Sequence, residues 1–219
     1  MNFDLSFAIE IVPKVLNGLG NTLIVTVLSS FGAAMLGFTW EMLRRSSKPM
    51  GYVMRFIIDF IRSTPVLVQL YFLFFVLPYY GVVLPAMFVG IAGLSIYFSG
   101  YLSEVFKAGI DAIPRGQFEA ASSLNLSRFD RTFFVIAPQM LRNIAAPMGS
   151  YFVSVLKSTP YLAILAVPEM LGSAFDVAGD TYRYAEPMLV AGILFLTLAL
   201  IVTMLIRRLE HRLLFATRR

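Results

Sequence analysis

Five long runs of apolar residues dominate the chain, and short polar segments separate them. At 1.5 Å per residue, the ~21 residues of the first run give about 31 Å of helix, enough to cross the hydrocarbon core of a bilayer. The runs are continuous rather than alternating, so they predict helices and argue against a membrane β-barrel. We therefore predict an all-α integral membrane protein with one domain, residues 1–219, and five transmembrane helices. The spans are expected at about 23–43, 57–80, 82–103, 144–167 and 187–206.

Composition supports a membrane protein and excludes several kinds of enzyme. Hydrophobic residues make up 58% of the chain and charged residues 14%, against about 45–50% and about 25% in soluble domains. The chain has no cysteine, and its single histidine, His211, lies in a charged tail. A zinc site or a Ser-His-Asp triad would need histidine in a cleft, and the spans hold no paired carboxylates. We therefore expect a protein that is not an enzyme and that holds no metal.

The basic residues alternate along the chain and predict an orientation. Lysine and arginine number 4, 0, 5 and 1 in the four connections and 5 in the C-terminal tail. Because cytoplasmic loops carry the excess of basic residues, the N-terminus is expected outside and the C-terminus in the cytoplasm. This sorting by membrane side also explains the net charge of +5 without a nucleic-acid partner.

The polar connection between the third and fourth spans is too well punctuated for a flexible linker. A break at Pro114-Arg115-Gly116 precedes a predicted short helix over 118–124, which Asn125 can end by adopting a left-handed conformation. Ser127, followed by Asp130, is a typical N-cap for the next helix. A short capped helix on the cytoplasmic face suits a docking element, although an inert interfacial helix fits the same spacing.

Two spans are interrupted by the same pattern, basic-Ser-Thr-Pro-x-Leu, at residues 62–67 and 157–162. Proline removes a backbone donor and clashes with the carbonyl four residues earlier, so each helix should kink or break. Interrupted helices with an ionisable residue often mark a translocation route. Arg62 has a candidate partner in Asp59, which favours a structural role, whereas Lys157 has no acid at i±3 or i±4 and favours a role in the route.

Serines recur every four residues on the third span and on the fourth span, and each set forms one helix face. Such stripes suit a polar pathway, but small residues at this spacing also allow tight helix packing. Tyr97 and Tyr151 are further candidates for the pathway, and Glu104 is expected to pair with Lys107. The candidate route residues are Lys157, Ser158, Thr159, Arg62, Thr64, Gln69, Ser99 and Ser154.

The polar connection resembles a known loop. Glu119-Ala120-Ala121, Asn125 and residues 135–138 match the "EAA" loop of permease subunits of bacterial ATP-binding-cassette (ABC) importers, whose pattern is EAA, three residues, Gly, nine residues and I-x-L-P. The departures are Asn125 for Gly, Val135 for Ile and Ala137 for Leu. Further segments resemble the polar amino acid uptake branch of that family: residues 21–23, 62–65 with Gln69, Tyr101 with Glu104, 114–117, 138–139 with Arg142, and 157–159.

The resemblance implies the permease fold of type I ABC importers, in the bacterial inner membrane, with a coupling loop at 114–130. It implies that a dimer of separate ATP-binding subunits receives this loop, and the chain itself has no G-x-x-x-x-G-K-[ST] motif. It also implies a second permease subunit, a periplasmic or tethered solute-binding protein and no cofactor on this chain. The implied docking residues are Gly116, Glu119, Ala120, Ala121 and Asn125.

The implied solute is a polar amino acid or a derivative of one. Residues 119–127 and 180–187 resemble ectoine-type permeases. The acidic segment from Glu169 to Glu186 could receive the binding protein or could simply be solvated. The alternative function is an ion-coupled secondary transporter or channel without ATP, which would need intramembrane carboxylates, and beyond Asp59 and Glu104 the spans carry none.

Overall fold

The computed structural model describes residues 3–215, with side chains through residue 210. Every regular element in this part of the chain is helical, which confirms the predicted all-α class. The side chains of His211 and Arg212, together with Arg218 and Arg219, lie outside the described residues. The helices are α1 Leu5–Glu10, α2 Val12–Leu16, α3 Leu19–Ser46, α4 Lys48–Ser63, α5 Val66–Tyr71, α6 Ala86–Asp111, α7 Arg115–Ser123, α8 Arg128–Asp130, α9 Ala137–Ser158, α10 Met170–Thr181 and α11 Ala185–Phe215.

Within the described residues, four helical stretches are long and apolar enough to cross a membrane, or five if the bent pair α4 and α5 forms one span. The helices extend beyond the spans predicted from hydropathy because their polar ends continue the hydrogen-bonded spiral. Thus α3 runs to Ser46, and α4 already begins at Lys48, where Ser47 caps it by accepting from the Met50 N–H. Residues 112–136 project from one end of the bundle, which we name the loop end.

The core forms where α3 packs against α6. A Cβ atom added to Gly37 would lie 3.0 Å from both the Ser103 nitrogen and the Ser99 oxygen, so glycine lets the two backbones approach closely. Ser95, Ser99 and Ser103 are buried in this contact, and the Trp40 indole donates to Ser99 Oγ at 2.9 Å. The serine stripe of α6 therefore serves helix packing, one of the two roles that its spacing allows.

The first proline break is sharper than a kink. The helix α4 and the helical stretch Val66–Tyr80 that begins with α5 meet at 99°, so residues 57–80 do not form one straight rod. Pro65 leaves carbonyls without their helical donors. Gln69 Nε2 replaces those donors at the oxygens of Ile61, at 2.8 Å, and of Thr64, at 3.2 Å. Gln69 thus stabilises the break itself.

The second break ends α9 and leads into a 3₁₀ turn over Thr159–Leu165. Thr159 Oγ1 donates to the Leu156 oxygen at 2.9 Å, which satisfies the carbonyl that Pro160 cannot reach. Ala166 then adopts a left-handed conformation, with φ of 55°, and turns the chain toward α10.

The N-terminal end of α3 holds the segment that follows this turn. Asn21 Nδ2 donates to the Pro168 oxygen at 2.8 Å, and the Met170 N–H donates to Thr22 Oγ1 at 3.1 Å. Gly18 lies against the backbone of Glu169, where an added Cβ would come within 2.3 Å of the carbonyl carbon. The segment 167–170 is therefore fixed by α3.

Three carboxylates share two arginines near the loop end of α3 and α6. The Glu41 side chain is 1% exposed and contacts both Arg44 and Arg45. Arg44 Nη1 also lies 2.5 Å from Glu104 Oε1, and Arg45 Nη2 lies 2.6 Å from Asp111 Oδ1. The expected pairing of Glu104 with Lys107 is wrong, because the guanidinium of α3 reaches Glu104 across the helix contact.

At the opposite end, α1 and α2 pack on α10 and α11 around Arg183. Its guanidinium lies 4.3 Å from the centroid of the Phe7 ring and 2.6 Å from Glu186 Oε1. Hydrogen bonds from the Ser6 hydroxyl and the Phe7 N–H, together with Arg183, lower the pKa of Asp4. This cluster fixes the N-terminal helices.

The carboxylates of the acidic segment between α9 and α11 are less exposed to solvent than the sequence indicates. Glu169 is buried and caps α10 by accepting from the Gly172 N–H at 2.6 Å, and Glu186 is 3% exposed beside Arg183. Asp176 and Asp180 are its exposed carboxylates. Two of the acids therefore stabilise the fold and are not free to meet a partner.

Candidate functional site

The helix α7 stands on the loop end with a defined start and stop. It begins after Pro114, earlier than the predicted start at 118, and ends at residue 123. Asn125 has φ of 52°, its N–H donates to the Ser122 oxygen at 2.9 Å, and the Leu126 N–H donates to the Ala121 oxygen at 3.2 Å. This pair of bonds is a Schellman motif, so Asn125 does adopt the left-handed turn expected of it.

The two faces of α7 differ. Ala121 is 2% exposed, and Phe118 packs on the main core, so this face holds the helix to the bundle. Glu119 and Ala120 point outward, and a Cβ atom added to Gly116 would meet no atom within 4 Å. The outward face is therefore small, open and marked by one carboxylate.

The next helix starts with an N-cap at Ser127. Ser127 Oγ accepts from the Asp130 N–H at 3.0 Å and donates to Asp130 Oδ2 at 2.7 Å. Phe129 and Phe134 of this helical stretch are 62% and 71% exposed, and Leu124 beside them is 73% exposed. These exposed apolar side chains lie on the same loop end as the carboxylate of α7, and aromatic residues are enriched in protein interfaces.

A cleft opens between the end of α4, the length of α6 and α9. It consists of two cavities of ≈ 320 Å³ and ≈ 290 Å³ that share Tyr101 and Tyr151. They follow one another along α6, the first near the loop end and the second toward the middle of the bundle. The polar residues of their walls are Arg62, Tyr97, Tyr101, Glu104, Asn143, Tyr151, Ser154, Ser158 and Tyr161.

Tyrosine rings form the boundary between the two cavities. The ring centroids of Tyr97 and Tyr101 are 5.2 Å apart and their hydroxyl oxygens 3.2 Å apart, while Tyr101 and Tyr151 are separated by 6.0 Å. Such rings offer an apolar face and a polar edge to a solute. The cleft therefore presents hydroxyl groups and aromatic faces next to charged groups.

Arg62 does not pair with Asp59 as expected. Its guanidinium carbon lies 5.4 Å from the centroid of the Tyr101 ring, within the range of a cation–π contact. Within residues 3–210 it forms no salt bridge, and Asp59, although exposed one turn earlier on α4, is not its partner. The attraction of the ring and the turn of the chain at Pro65 direct Arg62 into the cleft.

The other predicted route residues divide into three groups. Ser154 and Ser158 line the second cavity. Thr64, Gln69 and Thr159 instead satisfy backbone groups at the two breaks, and Ser99 lies within the contact of α3 and α6. Lys157 is exposed and lies outside both cavity walls, since successive residues on a helix point about 100° apart.

The cleft also contains residues that the sequence did not single out for it. Tyr101, Glu104 and Ala108 recur every three or four residues on α6 with Tyr97, which places them on one helix face. That spacing is visible in the sequence and could have identified the cleft wall. In the part of the chain that the structure describes, no cluster of three metal-ligating side chains forms.

Comparison with known proteins connects this geometry to a family. The profile of the family described as "Binding-protein-dependent transport system inner membrane component" matches residues 33–215. The chain is similar to the probable amino-acid ABC transporter permease protein y4tG of Sinorhizobium fredii, with 38% identity over 94% of this chain and 90% of that protein. It is also similar to the probable glutamine ABC transporter permease protein GlnP of Bacillus subtilis, with 31% identity over 97% and 99% of the two chains.

One solved structure has the same arrangement of helices. A chain from the crystal structure of an amino acid ABC transporter with histidines aligns with a TM-score of 0.87 and 31% identity, covering 97% of this chain and 100% of that chain. The fold is therefore shared along almost the full length of the chain.

Proposed function

Because the chain belongs to the family of binding-protein-dependent transport system inner membrane components, we propose that it is the membrane-spanning permease subunit of an ATP-driven importer for a polar amino acid. The names of the relatives, which include amino-acid and glutamine ABC transporter permeases, support this substrate class. The ATP is hydrolysed by separate subunits, and this chain supplies the path through the membrane.

The observation that carries the proposal is the outward face of α7. A short helix that starts after Pro114 and ends in a Schellman motif can transmit force, whereas a flexible loop would absorb it. Glu119 and Ala120 are exposed, and Ala121 anchors the helix to the bundle, so a motor subunit that binds the outer face moves α6 and α9 with it. Gly116, Glu119, Ala120, Ala121 and Asn125 form or support this docking element.

The other partners follow from the geometry of the chain and its family. One chain with at most five spans among its described residues has too few helices to enclose a route, so a second permease subunit completes it. The cleft of each chain supplies part of the wall. A solute-binding protein delivers the amino acid on the side opposite the loop end. The loop end then faces the cytoplasm, as the excess of Lys and Arg there supports.

The decisive test is charge reversal on α7. We expect Glu119→Lys to abolish both co-purification of the ATPase subunit and ATP-dependent amino acid uptake in proteoliposomes, because a lysine would replace the one carboxylate of the outer face. Membrane insertion and the unfolding temperature should stay unchanged, since Glu119 is exposed and forms no side-chain bond among the described residues.

Glu10→Lys is the matched control, because Glu10 is also an exposed glutamate but lies in α1 at the opposite end. This variant should retain ATPase binding. Normal ATPase binding and uptake by Glu119→Lys would refute the docking role. Uptake by the purified chain without any ATPase would instead identify an ion-coupled transporter or channel.

A narrower version of the proposal is an ectoine-like solute, which rests on the resemblance of residues 119–127 and 180–187 to ectoine-type permeases. Competition of labelled glutamine uptake by excess ectoine tests it. Inhibition by ectoine together with ectoine uptake would support it, and amino acid uptake that ignores ectoine would restrict the solute to amino acids.

A further inference from the structure

One arginine joins the loop end of α3 to the last turn of α6. Arg45 Nη2 donates to Asp111 Oδ1 at 2.6 Å and to the Lys107 oxygen at 3.5 Å. Asp111 is the last residue of α6, and α7 begins four residues later, at Arg115. The guanidinium of Arg45 therefore connects α3 to the point from which α7 projects.

A buried carboxylate fixes Arg45 from the α3 side. The Glu41 side chain is 1% exposed, its Oε1 pairs with Arg45, and its Oε2 accepts from Arg44 Nε at 2.6 Å. A buried carboxylate has no water to replace a lost partner, so it keeps both guanidinium groups beside it. Arg45 is thus held between α3 and α6 in one position.

These charged contacts oppose sliding between the two helices. Farther along, α3 and α6 approach closely through small residues, among them Gly37, Ser99 and Ser103. Packed helices can shift by small sliding movements. Hydrogen bonds between charged groups are about twice as strong as neutral ones and have a defined direction, so the contact of Arg45 with Asp111 fixes the register of α3 on α6.

The other end of α3 holds the segment that follows the second helix break. Asn21 donates to the Pro168 oxygen, and Thr22 accepts from the Met170 N–H. Between these contacts and Arg45, α3 continues without a break, and its 28 residues correspond to about 42 Å of helix. A single rigid helix therefore reaches from the base of α7 to segment 167–170.

We propose that Arg45 is a positioning residue for the coupling of ATP hydrolysis to transport, and that α3 carries the displacement of the loop end to segment 167–170. This role rests on the proposed function, in which a motor subunit moves α7. Arg45 keeps α3 and α6 in one register while α7 moves. Without Arg45, the end of α6 slides along α3, and the ATPase turns over without moving the opposite end.

The test measures uptake and ATP hydrolysis together, in proteoliposomes that hold the permease, its ATPase subunits and the binding protein. The probes are labelled L-glutamine and labelled L-arginine. Arg45→Gln should lower the amount of amino acid imported per ATP hydrolysed about tenfold, because a hydrogen bond between charged groups is lost. The variant should fold, since Arg45 is 38% exposed and Glu41 keeps Arg44. A purely structural role would lower uptake and hydrolysis together and leave their ratio unchanged.

Two further variants assign the effect to one contact. Asp111→Asn should lower the ratio as Arg45→Gln does, and the double variant should lower it no further, because both changes remove the same interaction. Arg55→Gln is the matched control. Arg55 is an exposed arginine of α4 that forms no salt bridge within residues 3–210, so its removal should leave the ratio unchanged.

Hydrogen exchange reports on the opposite end directly. In the wild-type complex, trapping the ATPase with ATP and vanadate should change the exchange rate of peptide 166–172 about tenfold, because the Met170 N–H donates to α3. In Arg45→Gln the same treatment should still change the exchange of α7 and should leave peptide 166–172 unchanged.

Four results would overturn the coupling role of Arg45. They are an unchanged ratio in Arg45→Gln, an equal fall in Arg55→Gln, a wild-type peptide 166–172 that does not respond to trapping, and a response of this peptide that persists in Arg45→Gln. If the wild-type complex imports amino acid with ATP in these cases, the proposed function stands. Absence of ATP-dependent uptake by the wild-type complex would count against the proposed function itself.

Discussion

Gly18 is a position at which the structure predicts a large effect of a single methyl group. This residue precedes α3 and lies against the segment that follows the second helix break. In Gly18→Ala the new Cβ would lie 2.3 Å from the carbonyl carbon of Glu169, 2.4 Å from its oxygen and 2.5 Å from the Met170 nitrogen. All three are backbone atoms, so no side chain can rotate away to make room.

The magnitude follows from the distances. Carbon atoms pack at about 3.5–4.0 Å, so segment 167–170 must retreat by about 1 Å. Overpacking of this kind costs about 1–3 kcal/mol. This movement of segment 167–170 also stretches the hydrogen bonds from Asn21 to Pro168 and from Met170 to Thr22, each of which contributes about 1 kcal/mol. Since Gly18 has φ of −77°, alanine itself fits the backbone and returns at most about 1 kcal/mol. We expect a net loss of about 2–3 kcal/mol.

The assay is unfolding of the detergent-solubilised protein, followed by fluorescence of the single tryptophan, Trp40, which lies in the contact of α3 and α6. Gly20→Ala is the control, because a Cβ on Gly20 meets no atom within 4 Å. The control should be stabilised by about 0.5–1 kcal/mol through helix propensity. Equal stability of the two variants would refute the claim that α3 fixes segment 167–170.

Three further predictions concern charged groups. Glu41→Gln should lower the unfolding free energy by about 3 kcal/mol, because it leaves two arginines without their buried carboxylate, whereas Glu10→Gln should have no effect in the same unfolding assay. Lys157→Ala should reduce ATP-dependent uptake in proteoliposomes, because Lys157 lies directly before the second helix break. The unfolding temperature should stay unchanged, since the ammonium group is exposed. Normal uptake would exclude Lys157 from the route. The pKa of Asp4 is lowered in the folded protein, so the stabilisation from this group is present above the ordinary carboxyl pKa and is lost as the pH falls through the lowered value. The stability difference between wild type and Asp4→Asn should therefore be present at pH 7 and vanish in strong acid, and a difference that does not change with pH would contradict this assignment.

The sequence by itself determined the class of the fold, the broken helices and the short helix α7 with its left-handed stop at Asn125. These features depend on local chemistry: continuous apolar runs need helices in a bilayer, proline removes a donor, and asparagine tolerates a left-handed turn. The predicted type I importer fold and the permease family are confirmed. Ser127 also caps its helix as its spacing to Asp130 indicates.

Only the tertiary structure decided the partners of the charged and polar side chains. Local spacing favoured Asp59 for Arg62 and Lys107 for Glu104, but the fold brings Tyr101 to the first and Arg44 to the second. Inside a tightly packed helix bundle, a long side chain reaches across to the next helix as easily as along its own. Sequence spacing describes one helix at a time, so it cannot show whether a partner on the same helix or one on the next helix is nearer. The cavity with Arg62 and Glu104 in its wall exists only where α4, α6 and α9 meet.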